Sequence, residues 1–422
     1  KYHKMIIEFS VKNYRSIKGL QTLSMVAAPI KSKNSELDTN NVIKVSDKLS
    51  LLKSAAIYGA NGSGKSNVVR ALRTMIVFVR ESFRNEDLGR FIIEPFFLDS
   101  DSFSNPTFFQ LVFTINSIRF RYGFELYRNE VISEWLYGTP DKSEVYFFTR
   151  EGTKIKINKE RFSEGKGLSN KTTNMNLFIN IVKAFNGQLS RQIFDFLTTN
   201  IVISTGINDS YFRDSTISMV QNKNSKQQIL YLLNLADVGI HDIFYKKDPP
   251  KKIGISQSSG DPIFAPETGS LSAVRSLMYL ENASREWMLD EHESDGTIKL
   301  FNYSGVIIDA LISGKTLFLD EFDARLHPML TKKIVEMFNS PTLNKNGAQL
   351  IFVTHDTNLL DNSLLRRDQI YFTEKNKMQE TVLYSLADFK GIRNDASYEK
   401  DYINGKYGAI PFLGDFEKLF QE

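Results

Sequence analysis

Four short stretches carry residue types and spacings that could do chemistry. The first is Gly59-Ala60-Asn61-Gly62-Ser63-Gly64-Lys65-Ser66, followed by Asn67. It comes after an apolar run (Leu51, Leu52, then Ala55, Ala56 and Ile57) and before a helix-like segment, Asn67 to Phe83. Strand, glycine-rich turn and helix in that order is the context a phosphate-binding P-loop requires. Glycines let backbone N–H groups curl around a phosphate, and the helix N-terminus adds partial positive charge. Lys65 would reach the β- and γ-phosphates of a nucleoside triphosphate, and the Ser66 hydroxyl would hold Mg²⁺.

The second stretch is Asp320-Glu321, at the end of the apolar run Thr316 to Leu319. Asp320 is placed to hold Mg²⁺, and Glu321 to polarise an attacking water as general base. Solvated acids at a strand end are the plain alternative, which the upstream P-loop disfavours. The third is Thr354-His355-Asp356, after the apolar run Gln349 to Val353. A histidine at the carboxyl end of a strand in an α/β nucleotide fold lies near the ligand crevice. His355 is expected to hydrogen-bond the γ-phosphate, with a satisfied core histidine as the alternative. The fourth is Glu293-Ser294-Asp295-Gly296-Thr297, which opens a helix-like segment. Its small, hydroxyl-bearing turn is either an anion site or a plain N-cap.

The elements that must position these groups fall into three parts. Residues 1–150 read as β-rich around the P-loop, with a strand from Met5 to Val11 and a hairpin, Thr107–Phe113 and Ile118–Phe124, around Asn116-Ser117. Lys31 to Lys48 reads as a polar loop. Residues 151–290 read as mainly helical, with apolar helical spacing at Asn176–Phe185, Leu189–Leu197 and Gln227–Leu235. Residues 291–422 return to α/β: helices at Gly296–Ile312 and Pro328–Phe338, strands at Thr316–Leu319, Gln349–Val353, Gln369–Phe372 and Thr381–Tyr384.

A chain of 422 residues exceeds one ordinary core, so more than one lobe is expected. No apolar run approaches the roughly 18–20 residues that span a bilayer, so no membrane association is expected. The absence of cysteine rules out disulfides and thiolate metal sites and fits a reducing, cytoplasmic interior. A formal charge of +4 neither demands nor excludes nucleic acid. Lys246, Lys247, Lys251 and Lys252 around Pro249-Pro250 could meet DNA phosphates, as could Arg119 and Arg121, yet solvated surfaces are the plainer reading.

Taken together, these residues resemble an ABC-type ATPase of the SMC/RecF/OLD-like branch. The order is P-loop at Gly59 to Ser66, signature turn at Ser294 to Thr297, acidic pair at Asp320-Glu321 and switch histidine at His355. Asn13-Tyr14-Arg15-Ser16 also looks like that branch, in which this arginine lies near the nucleotide phosphates. Finer features resemble bacterial anti-phage defence ATPases of the RloA, AriA and PtuA kind: Glu293 to Thr297, Asp320 to Pro328, Arg367 to Ile370 and Gly405 to Pro411. In transporter subunits the signature reads Leu-Ser-Gly-Gly-Gln, from which Asp295 and Thr297 depart. No Q-loop glutamine is located, and only Asp323 suggests a D-loop.

The resemblance implies an α/β fold: an ABC-type ATPase head with a mixed sheet, an antiparallel β subdomain and a helical insertion. It implies an AAA-family ATPase that uses ATP and Mg²⁺. Asn61, Gly62, Ser63, Gly64, Lys65, Ser66, Asn67 and Arg15 would sit on the nucleotide in one subunit, with Ser294, Gly296 and Thr297 from another. That arrangement is a head-to-head homodimer, or a higher oligomer, that hydrolyses ATP through Glu321, Lys65 and His355. No nuclease domain of its own is expected, so a separate effector, a nuclease or toxin, would act in trans. A DNA-repair ATPase of the RecF sort, with DNA as partner, is the alternative.

Overall fold

The computed structural model describes residues 4–85, 88–206, 210–236, 239–247, 252–255, 262–264, 269–276, 284–393 and 395–411. The chain forms two compact units. The first comprises 1–206, 310–323 and 331–422, and the second 207–309 and 324–330.

The first unit contains two large sheets. Its six-stranded sheet runs in the order Ile201–Ser204, Thr316–Leu319, Gln349–Val353, Ser54–Tyr58, Ile370–Lys375, Thr381–Ser385. The first five strands are parallel and the last pairs antiparallel. All residues of Ser54–Tyr58, Thr316–Leu319 and Gln349–Val353 are buried. These are the continuous apolar runs that a strand covered on both faces demands. The four strands bearing Gly59, Asp320, His355 and the 201–204 segment end on the same edge, because parallel pairing puts their carboxyl ends side by side.

The seven-stranded sheet is antiparallel, in the order Lys154–Ile157, Val145–Glu151, Glu130–Thr139, Ile118–Tyr127, Thr107–Ile115, Met5–Lys12, Gln21–Ser24. Its expected hairpin turns at Asn116 and Ser117, with φ of 52° and 65°, the left-handed pair that matches strand twist. The helix Lys65–Glu81 buries Val68, Val69, Leu72, Met75 and Val79. That face shares one core with Phe9, Phe109 and Phe113 of the antiparallel sheet and with Ile57, Phe318 and Ile351 of the parallel one. Each such side chain contributes about 1.5–3 kcal/mol on burial, so the helix carrying the P-loop is anchored along its length.

A buried ion pair ties the antiparallel sheet to the next segment. Glu134 accepts from Phe178 N (2.6 Å) and Ile179 N (3.1 Å), at the start of the helix Phe178–Ala184. Arg150, 3.6 Å from that carboxylate, donates to Gly152 O, Thr173 O and Asn176 O.

The chain departs from expectation in three places. Ile201–Ser204, inside the stretch read as helical, is a strand of the central sheet, so the first unit continues to residue 206 rather than ending at 150. Lys31–Lys48 contains the strand Val42–Ser46, paired with Leu49–Leu52. In the second unit, helices Ser210–Val220 and Lys223–Leu235 are followed by a three-stranded sheet of Asp242–Lys247, Gly269–Ser276 and Ser284–Met288. Helical spacing was legible at 227–235, but short strands inward-facing through Leu271 and Ala273 leave little apolar alternation to read.

Within the basic cluster, Lys246 pairs with Glu286 at 2.5 Å, whereas Pro249, Pro250 and Lys251 lie outside the described residues. Among the described residues, no helix is long and apolar enough to cross a membrane.

Candidate nucleotide site

The P-loop strand ends at Tyr58, and the chain turns through Gly59, Gly62 and Gly64 at φ of 153°, 76° and 106°. Gly64 is left-handed and stands directly before the helix, which has no side-chain cap. A side chain cannot replace it cheaply, since a Cβ there would fall 2.1 Å from Thr381 Oγ1. The first N–H groups of the helix are therefore not occupied by a capping side chain, the arrangement a phosphate site needs.

A cavity of about 280 Å³ opens in front of this loop. Asn61, Gly62, Gly64, Lys65, Ser66, Asn67 and Arg70 line it, with Asp320, Glu321, Val353 and His355. The structure thus brings the first three sequence stretches together around one cavity. Ser63 is not among the lining residues; its side chain is turned to Thr373 Oγ1, 2.7 Å away.

Lys65 is 6% exposed, and its ammonium donates to Gly59 O (2.7 Å) and Ala60 O (3.0 Å). Burial pulls its pKa down to about 8, against the opposing pull of Asp320 and Asp323. Asp320 is 1% exposed. Burial pushes its carboxyl above the usual range, and the Glu321 charge adds to this; a hydrogen bond from Ser66 and the Arg70 charge oppose it. Its Oδ1 is buried with no hydrogen-bond partner. An orphaned carboxylate oxygen beside a serine hydroxyl fits a divalent cation, so Ser66 and Asp320 are a suitable Mg²⁺ pair.

Glu321 follows with φ of 50°, a left-handed conformation costing a non-glycine residue about 1–2 kcal/mol. That turn ends the strand and sets an exposed carboxylate at the cavity's edge. His355 has its pKa lowered by partial burial first and by Lys65 second, with Asp323 and Glu321 opposing. It is therefore neutral at pH 7, able to donate from one ring nitrogen and accept at the other.

Other residues enter in roles the sequence reading did not give them. Arg70 lies four residues after Ser66, hence on the same helix face; that spacing was a usable signal. The Asp323 carboxylate accepts from His355 N at 3.3 Å and so holds the switch loop. Ser204 O accepts from Asp320 N (3.0 Å), and a Cβ on Gly206 would stand 3.2 Å from Glu321 Oε2. The end of the 201–204 strand therefore abuts the acidic pair.

Arg15 does not line the cavity. Its guanidinium pairs with Glu94 at 2.5 Å, and its backbone N donates to Glu94 O. Glu94 holds the end of this guanidinium, while its Nε is buried without a hydrogen-bond partner, and the turn reaches the P-loop helix through Ser16, whose Oγ accepts from Asn67 Nδ2 at 2.6 Å.

The fourth stretch lies in the second unit and is built differently. Ser294 Oγ accepts from Thr297 N (3.1 Å) and lies 3.0 Å from Thr297 Oγ1, so Ser294 is an N-cap for the helix Asp295–Ser313. Gly296 packs against the following loop, where a Cβ would lie 2.7 Å from Arg325 O. Arg325 reaches Asp295 at 3.5 Å, and Lys299 Nζ donates to Ala324 O.

A P-loop with a buried lysine, a strand-end acidic pair and a neighbouring strand-end histidine on one edge of a mostly parallel sheet define a P-loop ATPase head of the α/β class. The chain belongs to the family described as "AAA domain, putative AbiEii toxin, Type IV TA system", whose profile matches residues 54–361. Among solved structures it is similar to an SMC head domain from Thermotoga maritima, at 13% identity and a TM-score of 0.42, over 90% of this chain and 98% of that one. It is also similar to an SMC head bound to the C-terminal winged-helix domain of ScpA, at 14% identity and a TM-score of 0.44, over 90% and 97%. No curated protein matches the chain.

Proposed function

We propose that this ATPase is the ATP-hydrolysing sensor or regulatory subunit of a bacterial anti-phage defence system. It works as a head-to-head dimer and controls a separate effector, a nuclease or toxin. The observation that carries the reading is the single cavity uniting Lys65, Ser66, Asp320, Glu321 and His355. The family's toxin–antitoxin description supports the defence context.

In this reading Lys65 and the N–H groups from Asn61 to Asn67 bind the β- and γ-phosphates. Ser66 and Asp320 hold Mg²⁺, which supplies charge neutralisation at the phosphates. Glu321 orients a water and takes its proton as oxygen bonds to the γ-phosphorus; the bond from that phosphorus to the β–γ bridging oxygen breaks. His355, neutral and steadied by Asp323 at its backbone, donates to the γ-phosphate and reports whether it is present. Ser294, Gly296 and Thr297 of a second copy would complete the site, which couples hydrolysis to assembly.

The test is affinity purification of Glu321→Gln with its genomic neighbours, followed by mass determination. A stoichiometric protein partner on an ATP-bound dimer is the expected result. An ATP-bound dimer carrying only nucleic acid would overturn the effector reading in favour of a DNA-repair ATPase.

A further inference from the structure

The P-loop is held from outside by two threonines that no sequence motif marks. They lie on the two strands of the hairpin Ile370–Lys375 and Thr381–Ser385, at the far end of the chain from the loop. Thr381 Oγ1 donates to Ser63 O at 2.9 Å and lies 2.8 Å from Ser16 Oγ, which accepts from Asn67 Nδ2. Thr381 N donates to Ser16 O at 2.7 Å. Thr373 Oγ1 lies 2.7 Å from Ser63 Oγ and 3.4 Å from Tyr58 O. Both threonines are buried, at 1% and 0% exposure. Two of the loop's glycines are shaped around them: a Cβ on Gly64 would meet Thr381 Oγ1, and one on Gly59 would meet Thr373 O at 2.4 Å.

The geometry has a direct consequence for phosphate binding. In a trans peptide the C=O and the following N–H point in opposite directions. Fixing Ser63 C=O toward Thr381 therefore turns the Gly64 N–H away from the hairpin, and Gly64 lines the cavity on the other side. A cradle already in its binding shape avoids the cost of ordering it on binding.

We propose that Thr381, with Thr373 beside it, is a positioning residue for nucleotide binding: it sets the Ser63–Gly64 peptide so that the loop meets phosphate without rearrangement. The inference rests on the P-loop reading above. The hairpin is itself held by the 405–411 segment, through Tyr384 OH to Tyr407 O (2.7 Å) and Ala409 N to Glu374 (3.1 Å). The brace is thus part of a packed element rather than a loose side chain.

The experiment compares Thr381→Val, Thr381→Ser and Thr373→Val with the unaltered chain and with Lys65→Ala. A fluorescent ATP analogue reads affinity, steady-state hydrolysis separates KM from kcat, and thermal melting reads folding. Losing the hydroxyl that meets both Ser63 O and Ser16 Oγ predicts that Thr381→Val weakens binding and raises KM roughly three- to tenfold, with kcat within about twofold and a cooperative melt that is only modestly lowered. Thr381→Ser, which keeps the hydroxyl, restores affinity. Affinity within twofold for Thr381→Val, or a serine variant as weak as the valine one, overturns the inference. Should Thr381→Val fail to fold, Thr381→Ser and Thr373→Val decide it: retained affinity for the first and weakened affinity for the second support the brace, and any other pattern overturns it. If Lys65→Ala binds nucleotide normally, the P-loop reading itself fails, which is a different result from failure of the brace.

Discussion

Two helix starts in this protein have similar sequences of small and hydroxyl residues, and they are built in opposite ways. The helix Lys65–Glu81 begins after left-handed Gly64 with no side-chain cap, its lysine buried and its flanking peptide braced by Thr381. The helix Asp295–Ser313 begins with Ser294 capping Thr297 N in an exposed turn. A helix leaves its first N–H groups without intrahelical partners. One that caps itself has spent that capacity locally, whereas one left uncapped holds it for a ligand. The first start is therefore a phosphate-binding end whose lining residues all lie in its own unit. The second has already given one of those N–H groups, that of Thr297, to its own Ser294.

The largest expected effect tests the acidic half of the first site. Glu321→Gln should lower kcat by about 10²–10⁴-fold while nucleotide affinity stays the same or tightens, read by phosphate release and by equilibrium binding. Hydrolysis at the ordinary rate would remove Glu321 as the base. Next, Lys65→Ala should weaken ATP binding by roughly ten- to a hundredfold or more, the scale of one or two charge-assisted hydrogen bonds. Ser294→Ala in the same assay should leave affinity within about twofold. Equal losses in the two variants would erase the contrast between the two helix starts.

A third prediction concerns pH. With Lys65 drawn down to about 8, the free protein carries a neutral amine above that pH, and phosphate binding restores its proton. ATP affinity should therefore be flat below about pH 8 and fall by up to about tenfold per pH unit above it, with proton uptake measurable by calorimetry in two buffers. Lys65→Arg should bind with no such decline. The same lysine affects stability in the opposite sense. Its folded pKa lies below the unfolded value of 10.5, so unfolding takes up a proton between about pH 8 and 10.5, and stability from this group rises with pH across that window.

The smallest effect belongs to the second helix start. Ser294→Ala should cost about 0.5–2 kcal/mol of local stability, seen as faster amide exchange at the first turn of Asp295–Ser313. In the dimer reading, it should also slow hydrolysis at saturating ATP without changing the affinity of a single head. Unchanged hydrolysis would leave Ser294 as a cap and nothing more.

The site was legible in the sequence where its chemistry is contiguous. Gly59 to Ser66, Asp320-Glu321 and His355 each sit at the end of an apolar run, and the parallel sheet delivers all three to one edge. Arg70 was within reach of a helical count from Ser66. Ser204, Gly206 and the hold of Asp323 on His355 were not, because they depend on backbone contacts that follow from strand order. Arg15 pairs with Glu94 and is not on the cavity lining, a partnership that nothing local announces.

The sequence by itself determined that this chain has a phosphate-binding loop, an acidic strand end and a strand-end histidine, since each depends on neighbours within a few residues. It also determined the buried core strands, because strands covered on both faces must be largely apolar. Only the tertiary structure decided that Ile201–Ser204 joins that sheet, that Ser294 caps its own helix, and that Thr373 and Thr381 brace the loop. Each of these is a pairing between groups whose meeting depends on strand register or turn geometry. The brace shows this most plainly: Thr381 and Ser63 are 318 residues apart, and an ordinary threonine in a polar-tipped hairpin acquires its role only when the sheet closes over Gly64.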